Sequence, residues 1–440
     1  MNNYGIRQIH IIPFDIGCMF FDCLSLNNSK NLQFAKKFVE KLTVECAAHN
    51  ISVKGNMDLT YDGKNITGVS FKKNDIADQA VCIAKFNDCL TCYVLANGIG
   101  IFILADFEGK AFVNTDESIS QYSKALIANY QKKIAQATIL NRFNGEDVMP
   151  EEEALMLTFR EICWKLVNEG AKKREILHVR KFSGTKNYKA DGLSYVLTVY
   201  LLNQKDFTEN EMNHLMCSTI FHKVTNPDKW EEINNIVMTT EAEDKPSILQ
   251  IGEEYSYYSW SAVAVATKDY FTSYEEALKN TLVANILKAE LYVQSRWLIA
   301  DNSMDNVNKN SHYNMESLQR LLSYIEFSQA ELENDISANM HTLYKKVLNQ
   351  VVVSSEVKQL YKSVLSQINT QKKIKEAIYQ DKKRKNKLIM DLFLVIFSAS
   401  SLYKTVDDLI HQTFSWINWV IFGAMLLVAV GTILFNYKNK

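Results

Sequence analysis

No Gly-x-x-x-x-Gly-Lys, Gly-x-Gly-x-x-Gly or Gly-x-Ser-x-Gly occurs in the 440 residues, so neither phosphate-cradling nor nucleophile-elbow enzymes receive support. Excess charge is absent as well: 49 basic against 50 acidic residues call for no polyelectrolyte partner, and direct nucleic-acid binding is not expected. A secretory signal is not expected, because the early apolar stretch from Ile9 to Phe21 is interrupted by His10, Pro13 and Asp15 and lacks a small-residue cleavage site. It reads as an opening β-strand. Eight scattered cysteines without such a signal read as reduced thiols in a cytoplasmic protein.

Metal sites fare no better. Cys89 and Cys92 form a Cys-x-x-Cys, but no second pair or nearby His completes a closed zinc site. His214, Cys217 and His222 have no familiar ligand spacing. Asp301, Ser303 and Asp305 imitate a calcium loop, yet Asn306 stands where the sharp-turn Gly belongs and His312 where the closing Glu belongs. No catalytic residue and no cofactor is expected, and the chain does not read as an enzyme.

What is present is a membrane anchor at the C-terminal end. Residues Trp416 to Tyr437 carry no charge and are long enough to cross a bilayer of about 30 Å, with Trp416, Trp419 and Tyr437 where amphipathic rings favour the water interfaces. The preceding stretch, Leu388 to Tyr403, is apolar apart from Asp391, Ser398, Ser400 and Ser401. It is shorter than the usual span, but Lys382, Lys383, Arg384, Lys385 and Lys387 crowd its N-terminal flank. With Lys372, Lys373 and Lys375, and against Glu376 and Asp381, this cluster gives +6 locally and leaves −7 for the remainder. The positive-inside rule then places both termini in the cytoplasm and the connector 404–415 outside, in a multi-pass inner-membrane protein with a short tail, 438–440.

The expected architecture is an α+β cytoplasmic domain over 1–270, with a subdomain break near 110–150, then a helical stalk over 271–387, then spans at 388–403 and 416–437. The first 110 residues read as strands and loops, with Cys89 to Leu95 and Ile99 to Leu104 flanking a hairpin turn at Asn97-Gly98. Helices follow at about 119–143 and 150–169, then strands near 176–182 and 193–202, a capping box at Thr208 and Glu211, and a strand over 259–267. Ser273 and Glu276 open a helix that runs to about Ala300, and an Asn-rich loop spans Asp301 to Tyr313. A helix over about 314–350 carries Leu318, Leu322, Ile325, Leu332, Ile336, Leu343 and Val347 on one stripe. The last begins near Ser354, with Val357, Leu360, Tyr361, Val364, Leu365 and Ile368 at helical spacing and no Gly or Pro before the membrane, so it continues into the first span.

At about 100° per residue, Asp391, Ser398, Ser401, Thr405 and Asp408 fall within roughly 100° of arc. Polar groups in hydrocarbon normally face water or a protein partner, so one reading is a pore lined by several copies of this helix. A plainer reading stands beside it, in which Asp391 pairs with Lys387 at the interface and the serines bond back to helix carbonyls.

This layout resembles the CorA-type cation transporters: a cytoplasmic α/β domain, a long helix entering a first span, a short outer connector and a second span with a basic tail. That family carries Gly-Met-Asn at the outer end of its first span, where this chain has Ser400-Ser401-Leu402-Tyr403-Lys404-Thr405. The resemblance implies a homo-oligomer, a pentamer, conducting cations along the first span. Divergent members without the triplet include effectors of bacterial antiviral systems, which implies a small nucleotide ligand for the cytoplasmic domain. The alternative is a non-conducting, membrane-anchored sensor or scaffold.

Overall fold

The computed structural model describes residues 7–20, 29–63, 65–74, 76–107, 151–175, 197–203, 247–258, 262–269, 271–309, 315–338, 342–410 and 423. The expected helix at 119–143, the strand at 176–182, the Thr208 capping box and the His214, Cys217, His222 group lie outside them, as does the second span except for Gly423. The chain divides into two compact units, a body of Met1–Tyr313 with Gln319–Ile368, and a second unit of Asn314–Leu318 with Asn369–Lys440.

The body is an α/β unit built on a nine-stranded mixed sheet. Its strands are β1 (Arg7–Asp15), β2 (Ser52–Gly55), β5 (Ala80–Lys85), β6 (Leu90–Leu95), β7 (Ile99–Asp106), β8 (Leu197–Asn203), β9 (Ser247–Ile251), β10 (Glu254–Tyr258) and β11 (Ala262–Thr267), while β3 (Met57–Asp62) and β4 (Asn65–Phe71) form a separate ribbon. The order is β2-β5-β6-β7-β1-β8-β11-β10-β9, antiparallel throughout except where β8 and β11 run parallel. β1, the expected opening strand, therefore sits at the centre of the sheet. Its Pro13 is tolerated there because β8 pairs only with Arg7 to Ile11, so no ladder partner is lost on that side. The β6–β7 hairpin forms at the expected place, with a refinement of its turn. Gly98 alone has a positive φ, 79°, while the Asn97 side chain accepts from the Ile99 amide at 3.2 Å. Ala96, Asn97 and Gly98 make a three-residue loop, not a two-residue turn.

Strand alternation sends Ile12 and Phe14 into one core and Ile9 and Ile11 to the opposite face. The first core is closed by α1 (Ser29–Ala47) and α2 (Glu151–Lys172), the latter close to the expected 150–169. Helix α1 is a correction, since the first 110 residues read as strands and loops. Leu32, Ala35, Phe38, Leu42 and Cys46 are all buried at spacings of three and four, with Lys and Glu on the outer side. Phe159 of α2 meets Phe14, Phe86 and Phe102 edge-on with ring centroids 5.3–6.4 Å apart. Gly170 lets the helices close: a Cβ there would lie 2.3 Å from Phe34 Cε2.

Two shorter corrections concern the helical part of the body. Ser273 caps a helix as expected, its Oγ accepting from the Glu276 amide at 3.2 Å, but that helix, α3, is only Tyr274–Lys279. Asn280 interrupts it and caps the next, α4 (Thr281–Lys309), by accepting from the amides of Leu282 and Val283 at 3.0 Å. Helix α4 then runs past Ala300 through residues 301–309, which read as an Asn-rich loop. Asn302 donates from α4 to Asp15 at the end of β1 (3.1 Å), a tertiary contact that overrides poor local propensity, and Ser303 bonds back locally to Ile299 O (2.6 Å). Helix α4 packs on β1 and β7, which gives the sheet helical cover on both faces. The stretch expected as one helix over 314–350 appears as α5 (Met315–Ala338) and α6 (Thr342–Ser354). The last helix, α7 (Val357–Ile410), follows a turn at Glu356, whose φ is 54°.

Candidate functional site

Two regions are candidates for function, and each lies within one unit. The first is the part of α7 in the second unit. Leu388, Ile389, Met390, Leu392, Phe393, Leu394, Val395, Ile396 and Phe397 are all between 52% and 71% exposed, and none of the apolar window they belong to is buried. A soluble surface does not keep such a run in water. Helix α7 is long and apolar enough to cross a membrane over Val357–Lys404, and among the described residues it is the only helix that is.

Asp391, Ser398, Ser401, Thr405 and Asp408 all fall within the bounds of helix α7. Asp391 and Ser398 are half-buried while the apolar residues 392–397 between them are exposed, and Ser401 is half-buried as well. The helix continues to Ile410, so residues 404–410 of the expected outer connector are helical. Lys382, Lys383, Arg384, Lys385 and Lys387 are exposed on the turns before the apolar run, and Lys385 pairs with Asp381 at 3.1 Å. Between exposed side chains that i, i+4 pair adds only a few tenths of a kcal/mol, roughly.

The second region is a cavity of about 220 Å³ inside the body. Its walls come from the loop before β5, the β6–β7 turn and helices α4, α5 and α6. Lys288 of α4 meets Asp78 at 2.6 Å and lies over the Tyr344 ring, 5.2 Å from its centroid. Two turns on, the Arg296 guanidinium stacks on the Tyr292 ring at 3.5 Å and bonds Glu331 of α5 at 2.6 Å. The Tyr292 hydroxyl donates to Asp335. Burial raises the Tyr292 phenol far above its usual range, so it stays a donor. Asn97 closes the sheet side by donating to Ser295 at 3.1 Å.

Helix α4 also buries a carboxyl group. Glu290 is 1% exposed, it accepts a hydrogen bond from the Gln294 side-chain amide at 3.0 Å, and burial pushes its carboxyl up to about 8. Neither Glu290 nor any cavity residue except Asn97 figured among the residues singled out from sequence. The available signal was a run of polar residues, Glu290, Gln294, Ser295 and Arg296, inside an otherwise apolar helical surround.

The thiols point away from chemistry. Cys89 precedes β6 and Cys92 lies within it. Burial raises the Cys92 and Cys163 thiols well above their usual range and Cys46 to about 12, which leaves them poor nucleophiles. Asp301 and Ser303, read against a calcium loop, stand on helix α4. Among the described residues no group of three or more His, Cys, Asp or Glu side chains is arranged to hold a metal ion.

No protein-family model matches the chain, and no curated protein matches it.

Proposed function

We propose that the chain is a membrane-inserted, homo-oligomeric ion channel of CorA-like layout, whose body senses a ligand and whose α7 lines the conducting path. The single observation that carries this is the composition of α7 beyond Lys387: exposed apolar side chains on most of its circumference and one narrow polar stripe beginning at Asp391. In a bilayer the apolar faces meet lipid, and the stripe turns toward water shared with other copies. A ring of Asp391 carboxylates attracts cations and repels anions. The second span, the outer connector and cytoplasmic termini complete the topology, with the basic cluster Lys382 to Lys387 held on the cytoplasmic side. The pentameric state and a small nucleotide as the sensed ligand belong to the same proposal.

Purified chain in liposomes tests it. The expected result is dissipation of a cation gradient, with altered selectivity in Asp391→Asn and normal assembly. A gradient that stays intact in vesicles shown to contain inserted protein overturns the channel.

A second reading is favoured by the five exposed cations in Lys382 to Lys387. They place about 1 kcal/mol each of attraction at an anionic lipid surface, and a non-conducting tether or scaffold needs no more than that. An intact gradient together with strong dependence of binding on anionic lipid is its expected outcome.

A further inference from the structure

The charges around the cavity of the body do not cancel. Lys288 pairs with Asp78 at 2.6 Å and Arg296 with Glu331 at 2.6 Å, which accounts for both cations of the wall. A third carboxylate, Asp335, is left over. Its Oδ2 accepts from the neutral Tyr292 hydroxyl, while among the described residues its Oδ1 has no donor and no cation forms an ion pair with it. A half-buried carboxylate without a cation is costly, and a positive group placed in the cavity offsets that cost.

Tyr344 of α6 leaves a second position open. It is 9% exposed and lines the cavity, yet among the described residues its hydroxyl has no hydrogen-bond partner. Burial, and after it the carboxylates of Asp78 and Asp335, raise its phenol well above the usual range, which keeps it protonated and puts it within electrostatic reach of Asp335. One face of each ring already carries a cation of the protein, Lys288 on Tyr344 and Arg296 on Tyr292, so charge and not ring stacking is the unmet need. Ile76, Leu95 and Leu291 make an apolar part of the wall.

We infer that this cavity binds a small organic cation, a primary ammonium ion on a compact apolar body. Its N–H groups donate to Asp335 Oδ1 and the Tyr344 hydroxyl, and its carbon skeleton covers Ile76, Leu95 and Leu291. A water molecule can donate the same two bonds, but it brings no charge and leaves the apolar wall uncovered. Size agrees, since a cavity of about 150 Å³ accepts benzene and 220 Å³ leaves room for an ammonium group beside such a body. The site rests neither on the channel nor on its nucleotide, and binding is measured without flux.

Calorimetric titration of the full chain in an uncharged detergent, using benzylammonium, butylammonium, benzyl alcohol, butanol and benzoate as probes, is the test. At least one ammonium ion should bind tenfold or more tightly than both the alcohol of the same skeleton and benzoate, and which of the two wins separates a ring from a chain. Asp335→Asn keeps an acceptor for Tyr292 but removes the charge, and should weaken that binding about tenfold in protein whose thermal unfolding is unchanged. Tyr344→Phe removes a hydroxyl that bonds nothing within the body, so the fold survives, and should weaken it about threefold. Ammonium ions that bind no better than their alcohols or than benzoate overturn the inference, as does an unchanged affinity in Asp335→Asn, or in Tyr344→Phe should the Asn variant fail to fold. Binding without ion flux in the same preparation would overturn the channel and leave the site standing, and flux without binding would do the reverse.

Discussion

Val357, Tyr361, Val364 and Ile368 at the start of α7 are fully buried, whereas Leu388, Leu392 and Ile396 further along the same helix are each more than half exposed. The difference lies in how the apolar residues are spaced. In the first stretch they recur at three and four and fill one face, which the body covers while Gln359, Lys362 and Ser363 stay outside. Between Leu388 and Phe397 every residue except Asp391 is apolar, and no single neighbour can cover all faces of a helix. An apolar solvent can. One stretch is solved by folding, and the other is long and apolar enough to be solved by a bilayer.

The comparison breaks most visibly under one substitution made twice. Val364→Asp puts a carboxylate into the buried face and should cost more than about 5 kcal/mol, leaving the body unfolded. Leu394→Asp should leave the thermal unfolding of the body unchanged and act on membrane insertion alone, by about 2.5–3.5 kcal/mol. Equal loss of body stability in both, measured by thermal unfolding in detergent, would erase the distinction.

A smaller effect tests whether the titration belongs to the body. Glu290 is raised from 4.5 to about 8, so the folded state holds its proton where the unfolded chain has lost it. Stability therefore falls as pH rises from about 4.5 through 8, by a few kcal/mol and at most about 5. Glu290→Gln should flatten that part of the profile in denaturant titrations across this range, and an unchanged slope would deny Glu290 the role. Next comes Gly170→Ala, which drives a methyl into Phe34 and should lower body stability by about 1–3 kcal/mol in the same assay. Smallest is Glu356→Gly at the turn into α7. Relief of a positive φ should add up to about 1 kcal/mol there, and a loss of stability would show that the Glu side chain contributes more than its backbone strain removes.

The same contrast marks how far the sequence was legible. Periodicity made the buried stripe of α7 readable, and the polar stripe beyond it, because both depend on one helix only. The β6–β7 hairpin was readable from Asn97-Gly98 for the same local reason. Helix α1 was missed although its stripe is present, since Asn31, Gln33, Lys36 and Lys37 interleave it and the surrounding segments are strands. Residues 301–309 have loop composition and are held helical by Asn302 reaching Asp15, a contact 287 residues away in sequence. The cavity was not legible at all. Asp78, Asn97, Arg296, Asp335 and Tyr344 come from five separate pieces of chain, and only the fold brings their donors and rings together.

In the proposed channel, α7 beyond Lys387 lies among lipid tails. A photoreactive residue introduced at position 394 of the full chain, in native membranes, reads this directly when compared with the same residue at position 378. Crosslinking to lipid at 394 and not at 378 is the predicted result. Crosslinks from 394 to protein alone, or equal lipid labelling at both positions, would contradict it.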